Sequence, residues 1–136
     1  MSDAAGTTDV RLERRVRRLF ADAHKSYGEV FELTAELKSL GSIAVFGGVI
    51  RDWLLGGIQR LPRDVDLVID TEKLNALEQK LSRFLIAKNK FGGYRLALKH
   101  WQVDLWPLAS TWAFRHGHVA GVGFSTLPRT TFLNID

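Results

Sequence analysis

The run Asp64-Val65-Asp66-Leu67-Val68-Ile69-Asp70 restricts what this chain can fold into more than any other feature. Val65, Leu67 and Ile69 alternate with Asp64, Asp66 and Val68. Period-two alternation is a strand signature, because successive side chains point to opposite faces of a sheet. If the apolar set faces a core, the two aspartates share the other face, about 7 Å apart along the strand. Carboxylates at that spacing repel each other unless something cationic lies between them. Hard divalent cations with oxygen ligands, Mg²⁺ above all, meet that need in phosphoryl-transfer sites. The plainer alternative is a pair of strand-edge acids held by Arg60 or Arg63.

The rest of the chain supplies a frame for such a strand. Met1 to Thr8 is small and polar and reads as a disordered tail. From Asp9, apolar residues recur every three or four positions through Leu12, Val16, Leu19, Ala23, Tyr27, Val30 and Leu37 to Leu40, which predicts a long N-terminal helix. Gly28 is a place for that helix to bend, and Gly41 a place for it to stop. Ile43 to Phe46 reads as a buried strand ending at a Gly47-Gly48 turn, and Val49 to Leu55 as a short helix. A polar loop with Pro62 leads into the acidic strand. Thr71 then caps a helix carrying Leu74, Leu77 and Leu81. Phe84 to Ala87, Tyr94 to Leu98 and Trp101 to Leu105 read as further strands, the last two as a hairpin. A short helix near Ser110 to Arg115, a Gly-rich loop and a strand over Thr130 to Asp136 complete the order. The expected class is α+β, a mixed sheet with helices packed on it, in one domain over residues 9–136.

Two further segments bear on chemistry. Gly47 and Gly48 sit between a strand and a helix, about 16 residues before the acids. Glycines there let backbone N–H groups approach an anion closely, and a helix N-terminus adds positive potential. Arg51 in the first turn of that helix can reach a phosphate, with Asp52 orienting it. Asp104 stands between Val103 and Leu105. An acid inside such a strand is costly if buried and unpaired, and makes sense as a third metal ligand or as a base for an attacking hydroxyl.

Together, Val45-Phe46-Gly47-Gly48-Val49-Ile50-Arg51-Asp52-Trp53-Leu54-Leu55-Gly56 and Arg63-Asp64-Val65-Asp66-Leu67 resemble the head-domain signature of class II CCA-adding enzymes and bacterial poly(A) polymerases. These belong to the DNA polymerase beta-like nucleotidyltransferase superfamily, and Val103-Asp104-Leu105 matches its third-carboxylate strand. The resemblance spans roughly residues 42–106. It implies a nucleotidyltransferase-like mixed sheet and a cofactor of Mg²⁺ or Mn²⁺ at Asp64, Asp66 and Asp104. It also implies contact with an NTP near Gly47, Gly48 and Arg51, with RNA or another hydroxyl-bearing molecule as acceptor. Departures are visible. The loop before Asp64 is about three residues longer than is usual, and Arg129-Thr130-Thr131-Phe132-Leu133-Asn134-Ile135-Asp136 only partly matches a downstream family segment. The family's later nucleotide-selecting and tRNA-holding domains are absent, so the chain reads as a minimal relative or a truncated head.

Composition narrows the alternatives. The chain has 136 residues and no cysteine, which removes disulfides and thiolate metal sites and is compatible with a cytoplasmic setting. No apolar run approaches the roughly 18 residues needed to span a bilayer, so no membrane partner is expected. A net charge of +4 favours polyanionic partners. Arg11, Arg14, Arg15, Arg17 and Arg18 read first as a solvated basic face, and His116-Gly117-His118 as a loop. Trp106 and Trp112, just beyond Asp104, are candidates for lining a pocket. The leading expectation is a nucleotidyltransferase moving a nucleoside monophosphate from an NTP to an acceptor hydroxyl. The alternatives are a nucleotide- or nucleic-acid-binding module with weak or lost catalysis, and a plain interaction domain.

Overall fold

A computed structural model describes residues 24–48 and 64–130, together with Val10 and Arg14. A helix, α1 (His24–Leu37), precedes a first strand, β1 (Ser42–Phe46). Then come β2 (Asp64–Asp70), α2 (Leu74–Leu81), β3 (Leu85–Lys88), β4 (Tyr94–Ala97) and β5 (Gln102–Pro107). A 3-10 turn (Leu108–Ser110), a one-turn helix α3 (Trp112–Arg115) and a second 3-10 turn (Leu127–Thr130) follow. The strands form one mixed sheet in the order β1-β2-β5-β4-β3. Only β2 and β5 run parallel; the other neighbours are antiparallel. The α+β class expected from the sequence is what the chain adopts.

The parallel pair lies inside the sheet, covered on one face by the helices and on the other in part. Val65, Leu67 and Ile69 of β2 are wholly buried with Val103 and Leu105 of β5. Val30, Leu33 and Leu37 of α1 and Leu77 and Leu81 of α2 close over that face. A smaller cluster of Val68, Leu108, Phe114 and Leu127 covers part of the opposite face. The uncovered remainder of that second face carries the polar residues of β2 and β5.

Several expectations are refined. Of the long helix expected from Asp9, α1 shows only His24–Leu37, unbroken at Gly28; the stretch before it lies outside the described residues apart from Val10 and Arg14. Gly41 is not the helix stop, because α1 ends four residues earlier. It is required for close approach: a β-carbon there would lie 2.0 Å from the Asp70 carbonyl oxygen. Thr71 does not cap α2, whose N-cap is Lys73. Its hydroxyl donates to the Leu40 carbonyl at 2.8 Å and accepts the Lys73 N–H at 3.1 Å, tying the end of β2 to the chain that leads into β1. Thr130 belongs to a 3-10 turn rather than a strand, and residues 131–136 lie outside the described set. So does the segment expected to form a helix at Val49 to Leu55, and so does Pro62.

The β4–β5 hairpin turns through Lys99 and His100, closed by Leu98 N–H donating to the Trp101 carbonyl at 2.8 Å. Glu29 of α1 accepts the His100 backbone N–H at 2.9 Å and meets its ring Nδ1 at 2.6 Å. The turn that sets the hairpin register is thereby pinned to the helix layer. Leu105→Ala, at the centre of the helix-covered core, should lower unfolding stability by about 2–5 kcal/mol. Urea denaturation is the check, and a loss well under 1 kcal/mol would contradict this placement of the core.

Candidate functional site

The three sequence-predicted acids meet on the face of the sheet away from α1 and α2. On β2, burial of Val65, Leu67 and Ile69 against the helices sends Asp64 and Asp66 to the other side. Parallel pairing then sets Asp66 opposite Asp104 of β5. Register pairing extends the row in both directions, to Phe46 of β1 beside Asp66 and Arg95 of β4 beside Asp104. The row thus reads Phe46, Asp66, Asp104, Arg95. Asp64 lies one step along β2, paired with Gln102.

Charge in this row is unevenly balanced. Arg95 grips Asp104 with a two-pronged fork: Nε donates to Oδ1 and Nη2 to Oδ2, each at 2.9 Å. That carboxylate pushes the Arg95 guanidinium above its ordinary value. Among the described residues no cation grips Asp66 in this way, and its side chain is half-buried. Burial, then the charges of Asp104 and Asp64, raise its carboxyl above the ordinary aspartate value of 3.8, with Arg95 opposing weakly. Arg95 did not emerge from the sequence reading. The signal was present in the two-residue turn, because pairing outward from Leu98 and Trp101 brings Arg95 opposite Asp104.

Gly47 is fitted to Asp66. Its φ is +80°, in the left-handed region, and a β-carbon there would stand 2.8 Å from Asp66 Oδ2. Any side chain would press on the carboxylate as well as strain the turn. Gly47 and Gly48 line a cavity of about 530 Å³ together with Asp66, the only acid among the described lining residues. Phe46, Phe91, Trp106 and Trp112 supply aromatic walls, Val68 and Leu127 apolar ones, and Thr111 and Thr130 hydroxyls. Trp106 and Trp112 thus lie where the sequence suggested. Phe91, Thr111 and Leu127 sit on loops and turns, where single-sequence periodicity carries no information about which cavity they face.

The remaining candidates are placed less directly. Arg51 and the other residues of its segment lie outside the described set. His116 and His118 lie in the turn after α3. The His118 ring stacks on Trp112, with centroids 4.7 Å apart and planes 25° from parallel. Among the described residues, no three Asp, Glu, His or Cys side chains are grouped closely enough to form a ready-made metal cage. No described helix is long and apolar enough to cross a membrane. Comparisons with family models, with curated proteins and with solved structures find no match to this chain.

Asp66 has a consequence for stability. A carboxyl whose folded pKa is raised favours the fold while protonated, and that contribution is lost as pH rises through the folded pKa. In a chelator-containing buffer, Asp66→Asn should therefore melt at a higher temperature than the parent at pH 7. The gap should close below pH 3.8, where the carboxyl is protonated folded or unfolded. Equal melting temperatures at both pH values would show that the acidic row imposes no strain.

Proposed function

We propose that this chain is a divalent-metal-dependent nucleotidyltransferase, similar to the heads of class II CCA-adding enzymes and bacterial poly(A) polymerases. It transfers a nucleoside monophosphate from an NTP to an acceptor hydroxyl. The observation that carries this reading is the convergence of Asp64, Asp66 and Asp104 on one face of a parallel strand pair, beside an aromatic-walled cavity.

The donor chemistry fits Mg²⁺ or Mn²⁺. All three candidate ligands are hard carboxylate oxygens, and the Asp66 carboxyl is raised by burial first and then by the charges of Asp104 and Asp64, both of which a bound cation would offset. Bound ions of this kind supply charge neutralisation at phosphate oxygens and activation of a hydroxyl. The chain's own contribution is positioning. Gly47 leaves the Asp66 carboxylate room that any β-carbon would take. The cavity is within the size range of small-molecule sites. Its rings suit a stacked nucleobase, an interaction worth about 1–3 kcal/mol. Asp66 lines this cavity, and Thr111 and Thr130, whose hydroxyls donate to the Leu108 and Leu127 carbonyls, leave oxygen lone pairs to accept from a sugar.

A second reading is a nucleotide- or nucleic-acid-binding module with lost catalysis. One observation favours it: both oxygens of Asp104 already hold Arg95. Pyrophosphate release from labelled NTPs with Mg²⁺ or Mn²⁺ and RNA acceptors separates the two. The enzyme reading predicts release. Mg²⁺-dependent NTP binding without release favours the module. Variants sharpen the test: Asp104→Asn should keep much of the Mg·NTP affinity yet lose turnover by on the order of 10²-fold or more. Asp64→Asn and Asp66→Asn should lose both. Full turnover in all three variants would end the enzyme reading for this site.

A further inference from the structure

We propose that Arg95 is a built-in stand-in for the metal, a positioning residue that neutralises Asp104 while the divalent ion is absent and must release it for the ion to bind. The inference rests on the divalent-ion reading of the acidic row and adds a competitor inside it. A guanidinium fork on a carboxylate uses two in-plane lone pairs, one on each oxygen. Arg95 does this to Asp104 at 2.9 Å on both sides. A dication bound by those oxygens would face the guanidinium charge at close range, and the two repel. Fork and two-oxygen chelation of an ion by Asp104 use the same two lone pairs and are therefore mutually exclusive states, while an ion on either oxygen's second lone pair still meets the guanidinium charge.

The surroundings of Arg95 suit an exchange between them. It is attached to β4, and its side chain is 52% exposed while that of Asp104 is 24% exposed, so the arginine is the freer partner. On its own face its near neighbours are small. Ala97 lies two residues along β4, and Ala87 is opposite on β3. A guanidinium leaving Asp104 can swing outward over these alanines without displacing a packed side chain. Asp66 cannot take the same arginine as a full partner, because Asp104 stands between them in the row. Among the described residues, one cation thus satisfies one acid of three, which leaves the row receptive to a second, stronger one.

Terbium luminescence provides the test, with Tb³⁺ as a hard oxygen-seeking probe sensitised by Trp106, which lies two residues beyond Asp104 on the same face. The full chain would be titrated with Tb³⁺ and then with competing Mg²⁺, alongside Arg95→Gln and Arg95→Lys. Because Arg95 is exposed, both variants should fold, which circular dichroism verifies. Removing the competitor should tighten ion binding about tenfold in Arg95→Gln, a modest factor because water screens the pair. Arg95→Lys, a single point charge without the fork, should fall between. Unchanged or weaker binding in Arg95→Gln overturns the proposal while leaving the metal site intact. Absence of sensitised emission from every variant, the parent included, overturns both the proposal and the metal reading beneath it.

Discussion

Two aspartates face each other across the central parallel strand pair, Asp66 on β2 and Asp104 on β5, and like charges so placed destabilise a sheet. The apolar residues on the reverse side hold them there. A slip of one residue in either strand would drive Val65, Leu67 and Ile69, or Val103 and Leu105, out of the helix-covered core and the acids into it. Burial of five such side chains outweighs the repulsion of two half-exposed carboxylates, since each large aliphatic is worth about 1.5–3 kcal/mol. The acidic row is thus imposed on the sheet by packing on the opposite, helix-covered face. Arg95 and the hairpin turn pinned by Glu29 offset part of the remaining cost.

Such an arrangement suits function better than stability. Asp66 is raised by burial and by its acidic neighbours, and Gly47 gives up side-chain packing to stand against it. An uncharged residue at position 66 would relieve the first strain, and a larger one at 47 is barred by the second. Natural chains accept local strain of this kind where a ligand repays it. A cavity walled by four aromatic rings and opening on the strained acid is a fitting place for that repayment.

Much of this was legible from the residues alone because it is local. Alternation in Asp64 to Asp70 dictates both the strand and which face its acids take. Periodicity through Leu74, Leu77 and Leu81 dictates α2 and its buried side. What stayed hidden is non-local. Nothing in the spacing of residues 64–70 and 102–107 says that β2 and β5 are neighbours, parallel and in register at Asp66 and Asp104. Arg95 is the exception: its pairing with Asp104 follows from the two-residue hairpin turn, a local signal that the sequence reading did not use. Thr71 offered a helix cap by sequence, yet its hydroxyl is taken by the Leu40 carbonyl, a partner 31 residues away. Phe91 and Thr111 reach the cavity through loops, whose paths are set by what they pack on.

The central claim is that the row through Asp66 and Asp104 is a divalent-cation site serving the adjoining cavity. Paramagnetic broadening by Mn²⁺ tests it most directly, read residue by residue in an amide correlation spectrum with a non-hydrolysable NTP analogue present. The account predicts that substoichiometric Mn²⁺ first erases the signals of Gly47, Asp64 to Asp66 and Val103 to Leu105, with the Trp106 indole close behind. Broadening that begins instead at surface acids such as Glu72 or Glu78, or that spreads evenly over the chain, would contradict it.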